Sequence, residues 1–349
     1  MDLKQKKRLI WQLPFLVLLI VGTILIIRQQ QNMPYQKCSG PIFGTIYNIT
    51  YQYDEDLQKE LVEKMNEVDR ALSMFNEKSV ISKINKGEHN IPKTTEGDMF
   101  VEVYELAQKI SVDTDGAFDI TVAPLVNAWG FGFKNGDMPT EEQVDSMLQF
   151  IGYEKVSYFT ERGGRGINKR DPRVMLDCSA IAKGYGVDVV ARLLREKGIK
   201  NYLVEIGGEI STSGISEKRL PWKIGVTKPS EDAAEGGGEL QTIINVTDKC
   251  MATSGNYRNF YYKGGRRYAH TIDPKTGYPV QHSLLSATVL ASDCATADAY
   301  ATSFMVMGLQ GAQRLLERHK ELMAYLIYSD QNNELKVWFS PTLKDKIEP

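Results

Sequence analysis

Residues 202–214, YLVEIGGEISTSG, decide the fold class. YLVEIG and EISTSG each read as a strand, and Gly207-Gly208 forms a bend between them where a backbone can pass close to a ligand. Further strand-like runs follow: WKIGV (222–226), QTIINV (241–246), CMATSG (250–255) and SLLSATVLA (283–291). AYLIYS (324–329) and ELKVWF (334–339) come last, and FGTIYNITYQY (43–53) supplies a strand near the beginning. Two more strands are expected at 155–159 and 173–177. Leu57, Leu61, Met65, Val68 and Leu72 recur as one apolar stripe, and Met99, Val103, Leu106 and Ile110 as another, each predicting a helix. Thr140 with Gln143 makes a capping box for a third. Ser179 is placed to cap a fourth that ends near Gly198, and two more are expected over 294–307 and 310–319. Helices interrupt the strand runs rather than alternating with them, which predicts an α+β fold of mixed, largely antiparallel sheets with flanking helices.

The chain has 349 residues, 42% hydrophobic and 25% charged, with a net charge of −2. That balance argues against a nucleic-acid partner, which selects a basic excess or stripe. The N-terminus departs from it. Lys4, Lys6, Lys7 and Arg8 precede a charge-free run over residues 9–27, long enough to span a bilayer as a helix. The basic cluster orients such a span with the remainder outside the cytoplasm. No small-residue cleavage pattern follows, and the residues before Cys38 do not suit lipid attachment. The expected organisation is a basic segment (1–8), a single-pass signal anchor (9–27), a linker (28–40) and one domain (41–345) on the outer face of the cytoplasmic membrane. The four cysteines, Cys38, Cys178, Cys250 and Cys294, lack paired metal spacing and are expected as free thiols.

Four segments carry candidate chemistry. In DCSAIAKGYGVDVV (177–190), Lys183-Gly184 looks like half a phosphate loop, but the glycine-rich lead-in is missing. A helix start with Asp177, Ser179 and Lys183 can receive an anion; taken alone, a capped surface helix is the simpler account. In SDCATADAYATSFMVMG (292–308), Asp298 and Thr302 lie four apart on one helix face. A carboxylate and a hydroxyl there suit a hard cation such as Mg²⁺; a surface ion pair and a back-bonded threonine are the plainer alternative. In RRYAHTIDPKTGYPV (266–280), His270 and Asp273 flank Ile272 where a strand enters a tight turn, and His270 could act as a base near neutral pH. TDGAFDITVAPLVNAWGFG (114–132) offers Gly116, the Phe118 ring and the Asp119 carboxylate. Singly, none is decisive.

Their order along the chain is. FGTIYNITY, LSMFNEKSVISKIN, DGAFDITVAPLVNAWGFG, MLDCSAIAKGYGVD, YLVEIGGEI, MATSGNYRNFY, HTIDPKTGYPV and ADAYATSFMVMG together resemble the ApbE family, the FAD:protein FMN transferases, over about residues 40 to 340. The resemblance implies an ApbE-like (T-fold-like) domain with a flavin cleft between two subdomains. It implies that FAD is the substrate, that its FMN half passes through a phosphoester onto a Thr or Ser hydroxyl of a target protein, and that AMP leaves with the help of Mg²⁺. Implied targets carry Asp-x-x-Ser/Thr-Gly-Ala-Ser/Thr, typically in membrane redox-complex subunits. Mapped here, the resemblance assigns flavin contacts to Phe43, Phe75, Ala117, Phe118, Asp119, Asp177, Lys183 and Ile272. It assigns the metal to the Ala180 carbonyl, the Asp298 carboxylate and the Thr302 hydroxyl. Phe43 stands where methionine is frequent and Phe75 where a larger aromatic often stands. The anchor also differs from the lipid attachment of many relatives.

The acceptor hydroxyl is a weak nucleophile and needs proton removal. His270 is the expected base, with Asp273 as its alternative or its orienting partner. Two other readings fit much of the pattern: hydrolysis of FAD to FMN and AMP, and a membrane-tethered flavin-binding module without catalysis. Asp298, Thr302 and His270 speak against the second, because binding alone does not need them.

Overall fold

A computed structural model describes residues 14–23, 33–131, 138–161, 163–229, 239–256, 260–263 and 266–348, with the backbone alone for 260–263 and 266–268. In chain order these form β1 (Tyr35–Ile42), β2 (Thr45–Gln52), α1 (Gln58–Leu72), α2 (Val80–Asn85), α3 (Thr95–Asp113), α4 (Ala123–Ala128) and α5 (Glu141–Leu148). There follow β3 (Val156–Glu161), β4 (Gly164–Lys169), α6 (Ala182–Glu196), β5 (Tyr202–Ile206), β6 (Glu209–Ser213), β7 (Lys223–Thr227) and β8 (Leu240–Asn245). The last are β9 (Cys250–Gly255), β10 (Phe260–Lys263), β11 (Arg266–Ala269), β12 (Leu284–Ala291), α7 (Cys294–Arg318), β13 (Met323–Ser329) and β14 (Leu335–Phe339).

Eight strands make one sheet in the order β1-β2-β5-β6-β9-β12-β13-β14, flanked by the ribbons β3–β4, β7–β8 and β10–β11. Every named pair among the described residues is antiparallel, so the sheets are not mixed. The β5–β6 hairpin supplies the reason at the centre of the sheet. Ile206 pairs with Glu209, and Gly207 and Gly208 between them take φ of 64° and 105°. Positive φ at both positions gives the turn whose twist matches the strands it joins.

Alternation then decides which face is covered. In β2, Tyr47, Ile49 and Tyr51 are buried and pack with Leu57, Leu61 and Met65 at the start of α1 and with Val187, Val190 and Leu194 of α6. Burial of each such aliphatic side chain contributes about 1.5–3 kcal/mol. α7 lies over β9 and β12 and against α6. Its first turns are alanine-rich (Ala295, Ala297, Ala299, Ala301, all buried), which lets the helices approach closely. The approach is tightest at Gly184, where a Cβ would fall 2.4 Å from the Cys294 carbonyl oxygen. Gly184 is therefore a helix-packing residue and not part of a phosphate cradle. Gly184→Ala is expected to lower stability by about 1–3 kcal/mol, read as a lower urea midpoint at unchanged slope. An unchanged midpoint would contradict the contact.

Several expectations need correction. Residues 35–40, read as linker, are most of the edge strand β1; Gly40 and Pro41 and its half-exposed positions hide its period. Residues 173–177 are extended but not a strand: Asn85 brackets Leu176 through both its amide and its carbonyl, and the Asp177 amide bonds Ile120. Ser179 does not cap α6, which begins after Ile181; its amide and hydroxyl instead both donate to Asp177 Oδ1, at 2.8 and 2.5 Å. The two helices expected after residue 294 are both present within α7, separated by the non-helical Gly308 (φ 70°, ψ 178°). The Thr140–Gln143 capping box is present, and all four cysteines are free.

Of the run 9–27 read as a membrane span, residues 14–23 are helical, while 9–13 and 24–27 lie outside the described residues. Ten helical residues rise about 15 Å, half a hydrocarbon core. Among the described residues no helix is long and apolar enough to cross a membrane. SEDAAEGGGE (230–239), whose composition reads as a surface loop between two strands, falls almost wholly outside the described residues.

Candidate active site

The same hairpin turn brings Glu209 beside the N-terminus of α6, where a cavity of about 410 Å³ opens. Its walls come from distant parts of the chain. The lead-in to α6 supplies Asp177, Ser179, Ala180 and Lys183; the β5–β6 turn supplies Gly207 and Glu209; α7 supplies Asp298 and Thr302. Residues 117–131 and 270–274 complete the lining with Ala117, Phe118, Asp119, His270 and Ile272, and the exposed Phe75 belongs to it as well. Of the residues expected in the site, only Phe43 and Asp273 lie off this lining. Phe43 faces an adjoining cavity of about 490 Å³ that shares Met74, Phe75, Ser179 and Lys183. It occupies the tip of the β1–β2 turn with φ 49°, and its ring rests on Gly186.

Asp298 is buried on α7, and its Oδ2 accepts the Gly184 amide at 3.0 Å. Burial raises its pKa while the Lys183 charge opposes the rise. Thr302 does not back-bond along its helix; its hydroxyl meets Ser254 Oγ at 3.1 Å. The plainer account of this pair, a surface ion pair and a back-bonded threonine, therefore fails. Lys183 Nζ pairs with Glu209 Oε1 at 3.1 Å. Burial works against the ammonium charge, but Asp298 and Glu209 outweigh it and hold the lysine charged, above its ordinary pKa. Glu209 is raised by burial and by Asp298, against Lys183.

Other expected residues sit differently from their first reading. The Asp119 carboxylate is fully engaged inside the protein, Oδ1 accepting from the Thr121 amide and hydroxyl and Oδ2 from the Tyr153 amide. Burial still pushes it up to about 6. Phe118 is almost wholly buried, whereas Phe75 is 73% exposed. Asp177 is raised by burial, against the two Ser179 hydrogen bonds. Asp273 organises the turn: its Oδ1 accepts the Lys275 amide, and its carbonyl accepts the Gly277 amide. Trp129 Nε1 donates to the Gly277 carbonyl at 2.7 Å and ties that turn to the end of α4. His270, half-buried, meets the edge of Phe131 with ring centroids 6.4 Å apart.

Glu209 is the residue that the sequence reading missed. The signal was a lone carboxylate placed directly after the Gly-Gly turn, in a strand otherwise of small and apolar residues. Ser254, the partner of Thr302, carried no such signal.

Among the described residues no group of three or more His, Cys, Asp or Glu side chains is arranged to hold a metal. The three residues that the resemblance assigns to a metal, Asp298 with its buried carboxylate, Thr302 with its hydroxyl and Ala180 with its main chain, all line this cavity and would offer oxygen alone. Such a set fits a hard cation that completes its shell with water or substrate oxygens. Glu209, whose buried Oε2 has no hydrogen-bond partner, lies on the same lining.

The ApbE family model matches residues 43–327, spanning the α6 lead-in, the Gly-Gly turn, the His270 turn and α7. The chain belongs to the ApbE family. A Vibrio cholerae relative named FAD:protein FMN transferase is 38% identical over 300 residues, covering 84% of this chain and 87% of its own. One from Haemophilus influenzae with the same name is 36% identical, covering 87% and 89%. The solved flavin transferase ApbE from Vibrio cholerae superposes with a TM-score of 0.78 at 35% identity, over 90% of this chain and 99% of that one. The apo flavinyl transferase ApbE from Pseudomonas stutzeri gives 0.78 at 28% identity, over 90% and 97%. The likeness to these ApbE structures thus extends well beyond the motifs.

Proposed function

We infer that this ApbE protein transfers the FMN moiety of FAD to a Thr or Ser hydroxyl of a target protein, with Mg²⁺, and releases AMP. Transfer of FMN from FAD is the activity its relatives are named for, and the chain is a transferase. One observation carries the finer reading. Asp298 and Thr302, Lys183, and His270 come from three separate segments and converge on one cavity whose lining includes the exposed Phe75.

In this reading the flavin packs against Phe75 and reaches toward Phe118 and Ile272, while the Lys183 side chain receives the pyrophosphate. Asp298, Thr302 and the Ala180 carbonyl would hold a divalent cation, which would supply stabilisation of negative charge at the reacting phosphate. His270 takes the proton as the target hydroxyl oxygen bonds to the phosphorus on the FMN side. The bond from that phosphorus to the bridging oxygen breaks, and the electron pair leaves with AMP. The target presents Asp-x-x-Ser/Thr-Gly-Ala-Ser/Thr, as in membrane redox-complex subunits. The charge-free run behind Lys4 to Arg8 supports a tether at the cytoplasmic membrane, with the catalytic body outside.

The test follows AMP from FAD with target and Mg²⁺ present, with target omitted, and with EDTA added. AMP is expected only in the first. AMP formed equally without target would make the protein a pyrophosphatase, and none in any arm would leave a binding module. Removing residues 1–27 should shift the chain from the membrane pellet to the soluble fraction; continued pelleting would count against the tether.

A further inference from the structure

Glu209 opens β6 with only 4% of its surface exposed, and its two oxygens differ. Oε1 holds Lys183 at 3.1 Å, whereas Oε2 is buried without a hydrogen-bond partner. An unpartnered buried carboxylate oxygen is costly to folding, so its retention calls for another role. The surrounding charges suggest which. Lys183 and Asp298 belong to neighbouring helix turns, close enough to feel one another, yet among the described residues the ion pair of Lys183 runs to Glu209 and none runs to Asp298. The hydrogen bond that Asp298 accepts comes from the Gly184 amide.

We propose that Glu209 is a positioning residue of the cation site: by holding the Lys183 ammonium it keeps the lysine from pairing directly with Asp298 and leaves the Asp298 carboxylate to a divalent cation. Without Glu209 the lysine and Asp298 neutralise each other, and the ammonium occupies the carboxylate that the metal needs. The Gly207-Gly208 turn makes this possible, since it sets β6 against the Lys183 stem: a Cβ on Gly207 would lie 3.4 Å from Lys183 Cδ. The inference rests on the assignment of Asp298 to the metal.

The experiment measures Mn²⁺ binding to the full chain without flavin, by loss of the free-ion spin resonance signal, for the parent and four variants. Asp298→Ala should abolish binding. Glu209→Gln should weaken it by about tenfold or more, as removal of a residue supporting a metal ligand does. The double variant Lys183→Met with Glu209→Gln should recover to within about threefold of the parent, which a merely structural role for Glu209 does not allow. Lys183→Met alone should bind at least as tightly as the parent, and it carries the test if Glu209→Gln fails to fold. Parent-like binding by Glu209→Gln, no recovery in the double variant, or weaker binding by Lys183→Met would each overturn the proposal. Absence of binding by the parent, or binding that survives Asp298→Ala, would instead overturn the metal assignment and this inference with it.

Discussion

Asp298→Ala is expected to abolish both transfer and its dependence on Mg²⁺. The substitution removes the only carboxylate among the proposed cation donors and strands the Gly184 amide that it accepts from. Stabilising charge at the reacting pyrophosphate by a metal is worth several kcal/mol, and about 4 kcal/mol corresponds to roughly a thousandfold in rate. The comparison to make is Asp298→Asn, which keeps the size of the side chain and an acceptor for Gly184 but not the charge. It should be as inactive as the alanine variant at unchanged thermal stability. AMP formation against Mg²⁺ concentration reads both variants, and Mg²⁺-stimulated turnover retained in Asp298→Ala would refute the site.

His270→Gln is expected to cut transfer by about 10²-fold or more while FAD still binds, because a positioned base contributes that much to a proton transfer. His270 lines the same cavity as Asp298 and Lys183, with its ring against the edge of Phe131. Glutamine keeps hydrogen-bonding capacity and bulk but takes no proton. The loss should therefore fall on kcat, with the affinity for FAD changed little when read by flavin fluorescence. Near-normal turnover would sink the assignment. Loss of FAD binding in step with turnover would make His270 a binding residue instead.

Much of this was legible in the chain because the local signals agreed with the fold. The alternation of Tyr47, Ile49 and Tyr51, the stripe Leu61-Met65-Val68-Leu72 and the Gly207-Gly208 turn each state one face or one reversal, and burial follows them. What was not legible depends on contacts between distant residues. β1 is a strand because β2 pairs with it, not because Gly40 and Pro41 favour one. Ser179 does not cap because the helix begins only at Ala182, and its hydroxyl donates to Asp177 in the turn before it. Asp119 looked like a free acceptor until Thr121 and Tyr153 filled both its oxygens. Glu209 became part of the site only once β6 was folded against α6. Periodicity reports which face is buried; it is silent about which charge meets which across a hundred residues.

The central claim is that this chain attaches FMN to another protein, and the intact mass of a target tests it most directly. A target bearing the Asp-x-x-Ser/Thr-Gly-Ala-Ser/Thr motif is incubated with the chain, FAD and Mg²⁺, beside a copy whose acceptor hydroxyl residue is replaced by alanine. The account predicts a mass gain equal to FMN less one water on the first and none on the second. An unmodified target with FAD consumed, or the same gain on both copies, would contradict it.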